Sequence, residues 1–249
     1  MNQDKFNAAK GCLLGALAGD AAGATLEFLD HDPTSEEVAW AMNMPGGGDL
    51  EVAPGQITDD GELTLCLAQA LAGSKTFDLE IIARHYARWI ESHPFDMGFT
   101  TSHSLGSYRN IDLKKEGYAT VMKKSASKSC MGSKANGSLM RNTPLGIWGS
   151  GLEATEIANF AIEDTSLSHP NNSCGYAVAC YSIAIATLIK GPGNRELAFN
   201  NARAWLDSQE DLAQDSYQYH CWAEVSSWLY DAVDNQGYLT LLWQHKVRI

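Results

Sequence analysis

Apolar residues recur along this chain at helical spacing. Leu63, Cys66, Leu67, Ala70 and Leu71 fall at i, i+3, i+4, i+7 and i+8. Ile81, Ile82, Tyr86, Trp89 and Ile90 repeat the pattern, as do Ile157, Phe160 and Ala161, and then Ala177, Cys180, Tyr181, Ala184 and Leu188. Ala223, Val225, Trp228 and Leu229 form a further stripe. Alternating runs of β-branched residues are scarce. The pattern predicts an all-α chain of roughly eight to ten helices whose connecting loops carry the polar chemistry. A first helix is expected from about Asp4 to Gly23. Its many small residues, including Gly11, Gly15 and Gly19, point to the close approach of another helix. Asp30 to Gln56 and His93 to Asn110, with their prolines and glycines, read as loops. No internal repeat or linker is visible, so residues 1–249 are expected to form a single compact domain.

Composition narrows the class of function. The 249 residues carry 18 Lys plus Arg against 30 Asp plus Glu, a net charge of −12. That balance disfavours nucleic acid as a partner but permits a small anionic ligand in a local pocket. The most apolar run, Tyr176 to Ile189, is shorter than the roughly 20 residues a membrane helix needs. The N-terminal stretch is interrupted by Asp4 and Lys10 and does not read as a signal peptide. Six dispersed cysteines form no CxxC pair, which favours reduced, buried thiols over a zinc site. A cytoplasmic protein with no membrane association is the expectation.

Four segments carry candidate chemistry. In Gly55-Gln56-Ile57-Thr58-Asp59-Asp60-Gly61-Glu62, Thr58 or Asp59 could cap the following helix. A threonine and two tandem acids, with a third at Glu62, exceed what capping requires and are also hard oxygen ligands suited to Mg²⁺. Glu27, between Leu26 and Phe28, is either an exposed loop residue or an acid whose charge a metal compensates. Asp20 reads as a cap or a bridge between helices. Asn136-Gly137-Ser138-Leu139-Met140-Arg141 places backbone N–H groups and a serine at a helix start, where a phosphate can bind. Arg141 is expected to pair internally with an acid. His169, fixed in a loop by Pro170, is either structural or hydrogen-bonds a ligand.

Taken in order, GDAAGATLEF, ITDDGELTLCLAQAL, HPFDMGFTT, NGSLMRNTPLG and SHPNNSCGYA resemble the ADP-ribosylglycohydrolase family. The five motifs span roughly residues 8 to 190. The resemblance implies an all-α domain with a binuclear Mg²⁺ or Mn²⁺ site. It implies a hydrolase that removes ADP-ribose from modified protein side chains at the anomeric carbon of the distal ribose. By motif, Thr58, Asp59 and Asp60 would be metal ligands, and Glu27 would be a ligand or the base that orients water. Asp96 and Gly98 would line the distal ribose and the leaving side chain. Catalytic roles would thus fall to Glu27, Asp59, Asp60 and Asp96. Asn136, Gly137, Ser138 and Met140 would embrace the diphosphate and ribose, and His169 would contact the adenosine side. Family members carry a second acidic motif, of the form GGDTDT, near the C-terminus. It is not found here: the sequence ends NQGYLTLLWQHKVRI, and the spacing of Asp231 and Asp234 does not reproduce the motif. The chain therefore reads as C-terminally shortened, with one metal ion or none. The alternative to a hydrolase is a catalytically impaired relative that binds ADP-ribose, and a homo-oligomer would cover a shortened C-terminal face.

Overall fold

The computed structural model of the protein describes residues 2–110, 116–213 and 215–234. Its helices, in chain order, are α1 (Gln3–Gly23), α2 (Ser35–Ala41), α3 (Asp59–Leu71), α4 (Leu79–Glu91), α5 (Phe99–Leu105), α6 (Tyr118–Ser129), α7 (Thr143–Trp148), α8 (Ala154–Thr165), α9 (Asn172–Lys190), α10 (Arg195–Asp207) and α11 (Ser216–Asp234). Among the described residues there is no β-strand, only an isolated antiparallel bridge between Gly47 and Val52. The all-α expectation holds. The tail from residue 235 onward lies outside the described residues.

The apolar stripes fix the packing. On α4, Ile82, Tyr86, Trp89 and Ile90 are buried, and α3 meets them with Leu63, Leu67 and Leu71. Helix α9 is the axis of the molecule, packed by α8, α10, α7, α11 and α1. Its length and apolarity would suffice to cross a membrane, but 67% of it is buried within the fold, so this apolar surface serves the core. Val178, Ala179 and Ile183 are essentially inaccessible, and burial of a side chain the size of valine or isoleucine contributes roughly 2 kcal/mol. Gly146 of α7 permits close packing of α7 against α9. A Cβ there would stand 2.7 Å from the Cβ of Ile185.

Three expectations need correcting. The segment Asp30 to Gln56 is not wholly a loop, because it contains α2. That helix starts at a capping box in which the Thr34 hydroxyl receives the Glu37 N–H while Glu37 receives the Thr34 N–H. The segment His93 to Asn110 contains α5 and a 3₁₀ turn, Ser107–Asn110. The glycines of α1 mark no close approach among the described residues, where Gly11, Gly15 and Gly19 face open space. Close approach occurs at the far end of that helix, through Asp20. The cysteines are all free, four of them buried.

Candidate active site

Asp20, near the end of α1, reaches across to the start of α3. Its Oδ2 accepts the N–H groups of Thr58 at 2.9 Å and Gly61 at 2.7 Å, and its Oδ1 accepts the Thr58 hydroxyl at 2.7 Å. Capping of α3 therefore comes from another helix. Thr58 occupies the N-cap position but makes no side-chain cap bond of its own, contrary to the simplest reading of the sequence. Its proton is committed to Asp20, which leaves its lone pairs available. Gly61 is required here, because a Cβ would lie 2.5 Å from Asp20 Oδ2.

With α3 anchored in this way, its first turn displays acids into a crowded space. Asp59 is buried, and its carboxyl is pushed up to about 8 by burial and then by the charges of Asp60, Asp96 and Asp20, against a hydrogen bond from the Gly98 backbone. Asp60 rises to about 7 through burial and the charges of Asp20, Glu27 and Asp96. Glu27 lies past the end of α1 on the exposed rim, beside Phe28, whose φ is +63°. Its carboxyl also rises to about 7, through partial burial and then Asp96, Asp59 and Asp20. Burial comes first in each case, and the neighbouring like charges add to it. Glu62 stands apart from the cluster: Trp89 Nε1 donates to its Oε2 at 2.6 Å. Among the described residues, no three His, Cys, Asp or Glu side chains converge closely enough to enclose a metal ion. The donor types suit a hard divalent cation whose charge would relieve the repulsion, but they supply only part of a coordination shell.

The second half of the site is the 3₁₀ turn Asn136–Ser138. Asn136 is exposed, Gly137 and Ser138 are buried, and Met140 is half-buried. The Ser138 hydroxyl is inaccessible and has no hydrogen-bond partner among the described residues. Gly137 is pressed between two other segments. A Cβ there would meet His169 Cε1 at 2.7 Å and Thr101 Oγ1 at 3.0 Å. His169 is buried and neutral, its pKa lowered to about 3 by burial and by the charge of Arg141. A cavity of about 250 Å³ is lined by His169, Asn171, Tyr176 and Gln218 among others, and reaches the Asn136–Ser138 turn only through its neighbour His169.

Behind the turn lies a fully buried network. Arg141 donates through Nε to Asp164 Oδ2 at 3.1 Å, through Nη2 to the Asp164 carbonyl at 3.0 Å, and through Nη1 to the Gly137 carbonyl at 2.9 Å. Tyr86 and Asn142 complete the carboxylate of Asp164 at 2.8 and 2.7 Å. Arg141 thus pairs internally, as expected. Its partner Asp164 carried no local signal in the sequence, while Thr101 and Ser168 lie within the HPFDMGFTT and SHPNNSCGYA motifs without having been singled out.

The two halves share supports. Helix α5 touches both, with Gly98 at its start beside Asp59 and Thr101 beside Gly137. Thr64 of α3 donates to the Met140 carbonyl at 3.3 Å. The structure brings Glu27, Thr58, Asp59, Asp60 and Asp96 near one another and sets Gly137 against His169, whereas Glu62 bonds Trp89 instead.

A family model described as ADP-ribosylglycohydrolase matches residues 1–244. The ADP-ribosyl-[dinitrogen reductase] glycohydrolase of Rhodospirillum rubrum is 31% identical over 185 residues, covering 74% of this chain and 59% of that protein. An ADP-ribosylarginine hydrolase Tri1 of Pseudomonas putida (strain GB-1) is 30% identical over 218 residues, or 85% and 51% of the two chains. ADP-ribosylhydrolase ARH3 of Gallus gallus is 26% identical, covering 83% of this chain and 56% of that one. This chain thus spans little more than half the length of these curated relatives. A solved structure titled ADP-ribosylglycohydrolase-related protein complex has the same fold, with a TM-score of 0.61, 23% identity, and coverage of 80% of this chain and 61% of that chain.

Proposed function

The chain belongs to the ADP-ribosylglycohydrolase family, and on that premise we propose that it hydrolyses the glycosidic bond joining ADP-ribose to a modified protein side chain. The observation that carries this reading is the meeting, on either side of α5, of an acidic cluster and a neutral turn with an unpartnered hydroxyl. The first suits a ribose under attack, the second a diphosphate. Ser138 and the backbone of Asn136 and Gly137 take the diphosphate, Met140 packs against the ribose, and His169 with its neighbouring cavity takes the adenosine side. Glu27 orients the attacking water, and Asp96 with Gly98 lines the distal ribose and the departing side chain. Thr58, Asp59 and Asp60 would hold Mg²⁺, or Mn²⁺ in its place. When bound, such an ion polarises ribose hydroxyls and water and offsets the crowded acids. Water adds at the anomeric carbon as its bond to the side chain breaks, and the water proton ends on the released side chain.

A second reading is a relative that binds ADP-ribose without hydrolysing it. It is favoured by one fact: the described acids do not enclose a metal ion on their own.

Calorimetric titration of Mg²⁺ and ADP-ribose, on the wild type and on the Asp59→Ala/Asp60→Ala double variant, separates these readings. Binding that needs Mg²⁺ and is lost in the double variant, together with release of ADP-ribose from an arginine- or serine-modified protein, supports the hydrolase. Binding indifferent to Mg²⁺, with no release, supports the binder. No binding under any condition overturns both.

A further inference from the structure

The Ser168 hydroxyl has one proton and two buried neighbours. Arg141 Nη1 stands 2.8 Å from its oxygen, and a guanidinium can only donate. His169 Nδ1 lies 2.8 Å from the same oxygen. Ser168 is completely buried, and among the described residues Nδ1 is the acceptor within reach of its proton. Leaving a buried hydroxyl proton unpaired is costly, so Ser168 accepts from Arg141 and donates to Nδ1. The remaining proton of a neutral imidazole then sits on Nε2. We infer that Ser168, oriented by Arg141, is a positioning residue that holds His169 as its Nε2–H tautomer, making it a fixed neutral hydrogen-bond donor beside Gly137 and Ser138.

The relay is anchored at both ends. Asp164 holds the guanidinium in the core, and the Gly137 carbonyl ties the same Nη1 to the Asn136–Ser138 turn. Burial and the nearby positive charge keep the ring from becoming an imidazolium, with its pKa lowered to about 3. At the other edge of the ring, Nε2 has no hydrogen-bond partner among the described residues, and it lies 3.1 Å from where a Gly137 Cβ would be. The unpartnered Ser138 hydroxyl belongs to the same turn. A fixed N–H and a free hydroxyl together suit a ligand group rich in acceptor oxygens, such as a phosphate or a ribose. The tautomer follows from this chain's geometry alone, while its use toward ADP-ribose rests on the function proposed above.

The test is a two-bond proton–nitrogen correlation spectrum of the full chain, with ¹⁵N-labelled histidine, at pH 7 without ligand. A His169→Gln variant identifies the signal, and ADP-ribose calorimetry runs alongside. The wild type is expected to show an unprotonated Nδ1 and a protonated Nε2. Ser168→Ala is expected to shift the ring toward the other tautomer and to weaken ADP-ribose by about fivefold. Ser168→Thr, which keeps the hydroxyl, restores both. A wild-type spectrum with the proton on Nδ1, or a Ser168→Ala protein that keeps Nε2–H, overturns the assignment. A switched tautomer with unchanged affinity overturns the donor role. The wild-type spectrum decides the tautomer by itself, so a Ser168→Ala protein that fails to fold does not remove the test. An Nε2–H tautomer in a protein that binds no ADP-ribose overturns the proposed function and leaves the positioning role standing.

Discussion

The Oδ2 of Asp20 lies 2.7 Å from the N–H of Gly61, 41 residues further along the chain, and the fit leaves no room for a side chain at the glycine. One helix end is therefore capped by a carboxylate from another helix, and the acids of the first turn inherit their position from it. Asp20→Ala is expected to cost about 1–2 kcal/mol, the usual penalty for a lost cap. Gly61→Ala displaces the same carboxylate and should cost at least as much. Urea denaturation reads both, and a loss below about 0.5 kcal/mol in either would show that the cap is dispensable.

Crowding among the acids predicts a pH dependence with a definite sign. Asp59, Asp60 and Glu27 titrate at about 8, 7 and 7 when folded, against values near 4 when unfolded. Their contribution is thus fully present below about pH 4 and is lost as the pH rises through about 7 to 8. His169 acts in the opposite sense and cancels when variants that retain it are compared. Between pH 5 and pH 8, metal-free wild type should lose more thermal stability than Asp59→Asn/Asp60→Asn. Mg²⁺ should stabilise the wild type more at pH 8 than at pH 5, because the sites it relieves are then charged. Parallel melting profiles for wild type and double variant would refute this account.

The Arg141–Asp164 pair is completely buried on both sides. Removing one member strands the other, so Arg141→Ala is expected to cost roughly 3–5 kcal/mol. Tyr86→Phe removes one charge-assisted hydrogen bond to the same carboxylate and should cost less, about 1.5–3 kcal/mol. Chemical denaturation gives both values, and equal losses would mean that the pair is not the principal term.

Gly137→Ala forces a methyl group against His169 and Thr101. Overpacking of this kind costs about 1–3 kcal/mol and is expected to be felt in the turn rather than in the helices. ADP-ribose affinity should fall by about tenfold or more while the helical circular dichroism is kept. Undiminished affinity would place the ligand away from this turn.

Legibility of the sequence followed the length scale of each interaction. Helices α3, α4, α8 and α9 announced themselves, because burial of one face leaves a 3.6-residue period in the chain. Helices α2 and α5, seven residues each, are too short to show one. The first is held by its Thr34–Glu37 box, and the second begins with Phe99, which is 71% exposed. The tandem acids were conspicuous as residue types, and their motifs placed them at one site. Which acid does which task was not legible. Glu62 looked like a third member of the cluster but bonds Trp89, while Asp20 joined it from a distant helix. Such pairings are set by tertiary distance, and nothing in a local window encodes them.

Asp164 gathers Tyr86, Arg141 and Asn142, which lie 78, 23 and 22 residues away in the sequence. The bonds from Arg141 and Asn142 need only α7 and α8 to meet, but the bond from Tyr86 cannot form until α4 has joined them. The turn that carries Gly137 hangs from the same arginine. Completing the support behind that turn consequently needs the long closure from α4 to α8, whose entropic cost precedes any reward from the contact it makes. A chain in which α4 has not docked should lack that support, so ligand capture would favour fully assembled molecules.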